Sequence, residues 1–280
     1  MHKEDNITNT PLIDVKKVIY EKNKSLYRIL PRFIINYIRH IIHEKELNNY
    51  ILNDTNTKNV DFVNKAINYF NVSYTAINED NIPKNGSYIV VGNHPLGGFD
   101  GLIIISLLHK YRKDLLVTSN DLLMNIPNLQ EMFIPINTVG DKTTDLARRI
   151  EKAFQQENMI LIFPAGLCSR RINGEIVDLP WKKTFVSKAK LYQRDILPIY
   201  FEGKNSNFFY NLSSFRRKIG IKFNIEMMYL VDELFKNRNQ HFKLVIGKPI
   251  SYRSLTNEKT DYEHAQEIKK IVYELKQDLY

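Results

Sequence analysis

The chain has 280 residues, of which 43% are hydrophobic and 11% aromatic, and this is enough to build one large domain with a genuine core. The composition excludes an intrinsically disordered chain. The formal net charge of +9 predicts anionic partners, which include phospholipid head groups, phosphorylated substrates and nucleic acid, without choosing among them.

Cysteine content and hydropathy restrict the compartment and the membrane topology. The single cysteine, Cys168, excludes a disulfide within the monomer and a cysteine-based metal site, which fits a reducing compartment. Residues 1–10 are polar and lack the apolar core of a signal peptide. No run of about 18 apolar residues predicts a transmembrane helix. We therefore expect a peripheral or monotopic protein at the cytoplasmic face of a membrane.

The segment before residue 80 is predicted to be helical after a loose polar lead over residues 1–15. A helix is predicted from Pro31, another over residues 60–70, and the first is amphipathic with basic residues on its polar face. Its apolar positions are Phe33, Ile34, Tyr37, Ile38, Ile41 and Ile42. Two interpretations stay open: a helix that lies in a membrane interface, or a surface helix packed on the core.

Beyond Pro83 the pattern changes to strands that alternate with helices, which predicts crossover units and a mainly parallel or mixed sheet flanked by helices. The predicted strands are 87–91, 115–118, 132–136, 159–163, 196–201 and 243–246, and the predicted helices are 102–111, 143–156, 182–192 and 261–279. We predict an N-terminal helical, membrane-associating segment over residues 1–80 and an α/β domain over residues 81–280.

A histidine and an aspartate stand on a glycine-rich turn at the end of the first of these strands. His94 follows Gly92 and Asn93, and Asp100 precedes the next apolar run. Histidine suits proton transfer near neutral pH, and a carboxylate that holds its other ring nitrogen would complete a general base. The alternative interpretation makes Asp100 a helix cap and His94 an ordinary turn residue. The turn also offers backbone N–H groups at a helix start, which suit an anion or an oxyanion.

A second polar turn follows another buried strand, over residues 161–171. It contains Pro164, Gly166 and Ser169 and ends in Arg170 and Arg171, whose guanidinium groups suit a phosphate or a carboxylate. Because both turns follow probable parallel strands, we expect them at the same edge of the sheet. The alternative is a turn with solvated arginines.

Together the two turns resemble the glycerolipid acyltransferase family of lysophosphatidate acyltransferase-like enzymes. That family has Asn-His followed by an aspartate, then a Phe-Pro-Glu-Gly turn with an Arg and a Ser nearby. The matching residues here are Asn93, His94, Asp100, Phe163, Pro164, Gly166 and Ser169. Weaker counterparts are the stretches 133–137 and 196–200, so the resemblance covers roughly residues 80–205.

The sequence also departs from the family pattern. Five residues separate His94 from Asp100, where the family has four, so the turn must bulge, and Gly97-Gly98 would permit this. The family Glu is Ala165 and the family Arg is Cys168. Since those two residues help to hold glycerol phosphate in the family, the resemblance favours a bacterial subgroup whose acceptors include amino-acid lipids such as ornithine or glycine lipids, beside lysophosphatidate.

The resemblance implies an O-acyltransferase of membrane lipid biosynthesis. His94, oriented by Asp100, would deprotonate the hydroxyl of a lysolipid, and the alkoxide would attack an acyl thioester of acyl carrier protein or coenzyme A. No other cofactor and no metal are expected, and an anionic membrane surface is an expected partner. The predicted substrate-binding residues are Asn93, Gly97, Gly98, Phe163, Pro164, Gly166, Ser169, Arg170, Arg171, Lys182 and Lys183.

Three other functions compete with this interpretation. Cys168 beside arginines is a candidate nucleophile. The glycine-rich turn suggests a nucleotide site, although it lacks the end of a P-loop and Pro95 removes one N–H. A non-catalytic, basic membrane-surface protein needs neither His94 nor Asp100. No nucleic-acid-binding fold signature is present, so nucleic acid is not an expected partner.

Overall fold

The computed structural model describes residues 13–54, 56–119, 126–135 and 143–280. Its strands are β1 (Ser73–Ile77), β2 (Tyr88–Gly92), β3 (Leu115–Ser119), β4 (Phe133–Pro135), β5 (Met159–Ile162), β6 (Arg170–Ile172), β7 (Glu175–Val177), β8 (Asp195–Glu202) and β9 (His241–Ile246). Its α-helices are α1 (Val15–Lys22), α2 (Lys24–Ile29), α3 (Arg32–Ile41), α4 (Glu44–Leu52), α5 (Asn59–Tyr69), α6 (Phe99–Tyr111), α7 (Thr143–Gln155), α8 (Thr184–Leu191), α9 (Asn207–Lys218), α10 (Leu230–Lys236) and α11 (Asp261–Glu274). Short 3₁₀ turns cover Glu79–Asn81, Pro127–Leu129, Ile225–Tyr229, Tyr252–Ser254 and Leu275–Leu279.

Seven strands form one mixed sheet in the order β1-β9-β8-β2-β5-β3-β4, and β6 and β7 form a separate hairpin. Strands β8, β2, β5, β3 and β4 are parallel, whereas β9 runs antiparallel to β8 and parallel to β1. The predicted α/β class with a mainly parallel, mixed sheet is confirmed.

The register of the central strands brings their carboxyl ends to one level. Val91 of β2 lies opposite Ile162 of β5 and Pro198 of β8. The chain that leaves β2 at Gly92 and the chain that leaves β5 at Phe163 therefore emerge side by side. This is the edge of an open α/β sheet where ligands bind.

Apolar side chains cover both faces of the sheet, as a parallel sheet requires. Val90 and the residues beside it on the adjacent strands, Leu161 and Leu197, face α5 and α6. Ile89 and Val91 face the opposite layer, which contains Trp181, α8 and α11. Each central strand is therefore a continuous apolar run, and such runs are what predicted these strands from the sequence.

The N-terminal helices form, but the sheet begins before the boundary expected at residue 80. Strand β1 is an edge strand of the sheet, and α5 packs in the same core as α6. The division into 1–80 and 81–280 is therefore corrected: residues from about α5 onward belong to the α/β body. The predicted polar lead lies mostly outside the described residues, and so does Ile136 of the predicted fourth strand.

Helix α3 confirms the predicted amphipathic helix only in part. Ile35 and Ile41 are buried, whereas Phe33 and Tyr37 are exposed by 72% and 50%. One part of its apolar surface thus packs on the protein and another part has no protein covering it among the described residues. Across the described residues, no helix is long and apolar enough to cross a bilayer.

Candidate active site

The turn between β2 and α6 is organised by the Asp100 carboxylate, which is fully buried. Its Oδ2 accepts backbone N–H bonds from Leu96 (2.9 Å) and Gly97 (3.2 Å), and its Oδ1 accepts them from Gly98 (3.0 Å) and Gly101 (2.9 Å). Four N–H groups are therefore consumed. These four groups are not available to the anion that the sequence predicts at this turn, which argues against a phosphate-binding loop built on them.

His94 stands beside this carboxylate. Its Nδ1 lies 3.0 Å from Asp100 Oδ2, at ion-pair distance but outside the geometry of a well-formed hydrogen bond. The His94 side chain is 19% exposed, and its Nε2 has no hydrogen-bond partner in the part of the chain that the structure describes. The ring stacks on Phe163 of the second turn, with centroids 4.1 Å apart and planes at 23°. The two predicted residues thus form a pair whose outer nitrogen is open to a ligand.

The electrostatics of the pair favour its charged form. Burial acts to lower the pKa of His94, but the Asp100 carboxylate, with a smaller contribution from Asp178, outweighs burial and raises it above the usual histidine value. Burial acts to raise the pKa of Asp100, but His94 and the backbone N–H groups hold it below the usual carboxyl range. Asp100 is therefore an anion that stabilises an imidazolium on His94.

Glycines accommodate the extra residue between His94 and Asp100. Gly97 has φ +75°, and a methyl group there would come within 3.0 Å of Leu230 on α10 and 3.2 Å of Cys168. A methyl group on Gly98 would lie 3.1 Å from Leu234. Gly97 has the positive φ that the predicted bulge allows, and both glycines lie close to α10.

The side chain of Asn93 bonds to the backbone of β8. Its side chain donates to the Phe201 carbonyl (2.9 Å) and accepts from the Phe201 N–H (2.7 Å), so it continues the pairing of β2 with β8 beyond Gly92. Asn93 is buried, and its side chain bonds to the backbone of β8, so its role in substrate binding stays a prediction.

The second turn lies against the first, as the strand order predicts. The Gly166 N–H donates to the Phe163 carbonyl (3.0 Å), and the Lys182 N–H donates to the Pro164 carbonyl (3.1 Å). Gly166 has φ +70°, and a methyl group on it would come within 3.0 Å of Lys182 Nζ. The exposed Lys182 ammonium group thus lies at this turn. Lys183 is exposed as well.

Ser169 joins the two turns through a carboxylate that the sequence did not single out. The Ser169 N–H donates to the His94 carbonyl (2.8 Å), and its hydroxyl donates to Asp178 Oδ1 (2.6 Å). The His94 N–H also donates to Asp178 Oδ1 (3.2 Å). Asp178 belongs to no motif, and only the packing reveals it.

Both arginines of the second turn have internal partners. The buried Arg170 forms an ion pair with Glu226 (3.1 Å) and donates to the Cys168 carbonyl (2.7 Å), so its role as a substrate ligand stays a prediction. Arg171 donates to the side chains of Asn207 and Asn211 on α9.

Cys168 does not suit nucleophilic catalysis. It is fully buried, and burial raises the pKa of its thiol to about 11 despite the nearby Arg170. Because the thiolate is the reactive form, this environment argues against the nucleophile alternative.

Comparison with solved structures identifies the fold. The fold is shared with the crystal structure of the 1-acyl-sn-glycerophosphate (LPA) acyltransferase PlsC from Thermotoga maritima, with a TM-score of 0.50, 19% identity and coverage of 93% of this chain and 91% of that one. At this identity the likeness shows the fold.

Sequence relatives are closer. A family described as acyltransferase matches residues 17–280. Proteins named lyso-glycine lipid O-acyltransferase are 44% identical in Phocaeicola vulgatus and 41% identical in Bacteroides thetaiotaomicron, each over 265 residues that cover 94% of this chain and 95% and 97% of those relatives. The chain belongs to this acyltransferase family and is an O-acyltransferase. The predicted family resemblance is confirmed, and a non-catalytic role is corrected.

Proposed function

We propose that this acyltransferase moves a fatty acyl group from an acyl thioester to the hydroxyl of a lyso-glycine lipid at the cytoplasmic face of a membrane. The observation that carries the proposal is the His94–Asp100 pair, with its outer imidazole nitrogen unpartnered, at the carboxyl edge of the sheet. The reaction needs no bound cofactor because the thioester itself is the activated donor.

The chemistry follows from the geometry. His94 Nε2 takes the proton of the acceptor hydroxyl while Asp100 stabilises the imidazolium. The acceptor oxygen forms a bond to the thioester carbonyl carbon, and the tetrahedral intermediate then breaks its C–S bond. The departing sulfur takes the proton back from His94. Ester and free thiol are the products, and His94 is neutral again.

The tetrahedral intermediate needs donors for its oxyanion. Four N–H groups of the first turn are bonded to Asp100, and those of Gly166 and Ser169 are bonded to main-chain carbonyls. We assign the oxyanion to the second turn, where the N–H groups of Ala165 and Leu167 have no partner in the described part of the chain.

The second turn supports an amino-acid lipid as acceptor. Ala165 and Cys168, which replace the family Glu and Arg, are both buried and uncharged, and Arg170 is buried in an ion pair with Glu226. Lys182 supplies one positive charge at the turn. A glycine lipid acylated on nitrogen keeps one carboxylate, which a single ammonium group matches better than it matches a phosphate. The names of the two relatives agree with this choice.

The donor and the membrane contribute further charges. Coenzyme A and acyl carrier protein are both anionic, which suits the net charge of +9 and the exposed Lys182 and Lys183. We propose that the thioester of one of them is the donor.

An exposed surface with apolar and cationic side chains supports membrane contact. Tyr229 joins the two halves of this surface, because its hydroxyl lies 2.8 Å from that of Tyr37 on α3 and its ring centroid lies 5.0 Å from that of Phe208 on α9. We call it the apolar–basic surface, formed by Phe33, Tyr37, Phe208, Phe215, Arg217, Lys218, Ile219, Ile221, Lys222 and Phe223. The stretch 203–224 contains no acidic residue, as expected for contact with anionic lipid.

The proposal is tested by assaying acyl transfer from acyl carrier protein and coenzyme A thioesters to lyso-glycine lipid and to lysophosphatidate. His94→Ala should lower kcat/KM by about 10²–10⁴, the usual contribution of a general base. His109→Ala is the matched control, since His109 lies on α6 nine residues beyond Asp100, and it should keep wild-type activity. Wild-type rates in a folded His94→Ala variant, or transfer to lysophosphatidate alone, would contradict the proposal.

A further inference from the structure

The Asp178 carboxylate is buried beside the active-site turn and has no role in the family pattern. The residue is 1% exposed. Its Oδ1 accepts from the His94 N–H and the Ser169 hydroxyl, and its Oδ2 accepts from the Trp181 indole N–H (2.9 Å). Every one of these bonds has Asp178 as the acceptor, which favours the ionised carboxylate, while burial is the larger effect and raises the pKa of Asp178 above the usual aspartate value.

These contacts hold the backbone of His94 on both sides. Its N–H is bonded to Asp178, and its carbonyl accepts from the N–H of Ser169, which is itself bonded to Asp178 through its hydroxyl. The two turns that meet at the site are thereby joined through one carboxylate. Phe163 then supports the imidazole ring from the side.

The charged and titratable groups around Asp178 come from three directions. His94 and Asp100 lie on the first turn, where Asp178 and Asp100 both act to raise the pKa of His94. Lys269 of α11 donates to the Asp178 carbonyl (2.6 Å), and the Tyr273 hydroxyl accepts from the Asp178 N–H (2.7 Å).

The second turn contributes the remaining titratable groups, Cys168 and Arg170, which lie in contact with each other (3.1 Å). Arg170 is paired with Glu226, which also pairs with Arg216, and the thiol of Cys168 is held neutral by burial. Asp178 is thus the charge outside the catalytic pair that acts on His94 from this side, and Lys269 is a cation next to Asp178.

We propose that Asp178 is a positioning residue, which fixes the main chain of His94 and supplies a second negative charge for the imidazolium formed when the acceptor hydroxyl is deprotonated. The inference rests on the proposed role of His94 as general base. Two carboxylates then stabilise the imidazolium: Asp100 contacts the ring of His94, and Asp178 accepts a bond from its backbone N–H.

The test measures the pKa of His94 in two ways, by the acid limb of the pH profile of kcat/KM and by NMR titration of its ring signal, identified by its loss in His94→Ala. Asp178→Asn keeps the shape of the side chain and removes the charge. It should lower kcat and move the acid limb and the NMR titration to lower pH by about one pH unit. Ser169→Ala is the matched control, because it removes one bond to Asp178 and leaves the charge in place, and it should not move the titration.

A second variant keeps the test decisive if Asp178→Asn does not fold. Lys269→Met removes a cation near the carboxylate and should move the His94 titration in the opposite direction, to higher pH. A titration of His94 that is unchanged in every folded variant of this pair overturns the inference. Wild-type activity of His94→Ala would instead overturn the proposed function, so the two failures are distinguishable.

Discussion

Asp100 has both of the roles that the sequence left open, because it shapes the turn at the start of α6 and also contacts His94. A carboxylate with four backbone N–H donors would by itself be an ordinary turn and helix-start residue. The same Oδ2 that binds Leu96 and Gly97 also lies 3.0 Å from His94 Nδ1. The bonds that shape the turn therefore also keep the carboxylate ionised and fixed for the imidazole.

Gly97 is the residue on which this shape depends most directly. Gly97→Ala should lower the free energy of unfolding by about 1–2 kcal/mol because φ +75° is unfavourable for a residue with a Cβ. It should also lower acyl transfer, since the new methyl group meets Leu230 and Cys168 and displaces the Asp100 turn. Urea unfolding and the transfer assay measure the two effects.

The control for Gly97 is Gly174, whose φ is +87° and whose added methyl group would meet nothing within 4 Å. Gly174→Ala should cost a similar free energy of unfolding and leave the rate of acyl transfer unchanged. Equal rates for both variants would show that contacts at Gly97 do not matter for catalysis.

Lys182 and Lys183 form another matched pair. Both are exposed, but the Lys182 ammonium group lies against Gly166 of the second turn. Lys182→Met should raise KM for the lyso-glycine lipid about tenfold, the loss of one charge-assisted hydrogen bond, with a smaller change in kcat. Lys183→Met should leave KM for the acceptor unchanged. An equal rise in KM in both variants would indicate general surface charge, and no rise in either would remove Lys182 from the acceptor site.

Among the secondary-structure elements, the strands that are buried on both faces of the sheet were predicted best from the sequence. The central strands are continuous apolar runs between turn residues, and their parallel order followed from the intervening helices. Strand β1 was missed because its residues are exposed or half-buried at a sheet edge. The β6–β7 hairpin had a recognisable signal, since Asn173-Gly174 is a strong turn pair and both residues have positive φ.

The site was predictable only where a residue's chemistry and its place in a turn coincide. His94 and Asp100 follow a strand and form the expected pair. Arg170 looked like an anion ligand because its ion-pair partner Glu226 lies 56 residues away in the chain. Asp178 looked unremarkable for the same reason, since its partners come from four separate segments. Long-range packing decides both cases, and local pattern does not encode it.

The segment from α9 to α10, which follows β8, contacts both catalytic turns. Glu226 pairs with Arg216 of α9 (2.8 Å) and with Arg170 at the second turn (3.1 Å). Helix α10 places Leu230 and Leu234 against the glycines of the first turn. The segment from α9 to α10 therefore lies next to both catalytic turns and also carries half of the apolar–basic surface.

For the whole molecule, this arrangement predicts how it meets its lipid substrate. Phe215 and Phe223 are exposed by 61% and 69% on the apolar–basic surface, and Arg217, Lys218 and Lys222, which lie between them in the chain, are exposed as well. We expect both rings to insert into the bilayer and so to hold the enzyme at the surface that contains its lysolipid acceptor. Combined Phe215→Ser and Phe223→Ser should weaken binding to anionic phosphatidylglycerol vesicles by about 10²-fold or more, from the loss of two buried aromatic side chains.

Leu191 is the matched control, because it is 67% exposed on α8, outside the apolar–basic surface. Leu191→Ser should leave vesicle binding unchanged. Binding of the wild type should fall as salt rises from about 0.05 to 0.5 M, since the cations act through a screened field, and should be weaker on zwitterionic phosphatidylcholine. Co-sedimentation measures all three. Equal loss in the Leu191 variant would mean nonspecific adsorption, and binding unaffected by Phe215 and Phe223 would leave α3 as the element through which the enzyme reaches its lipid.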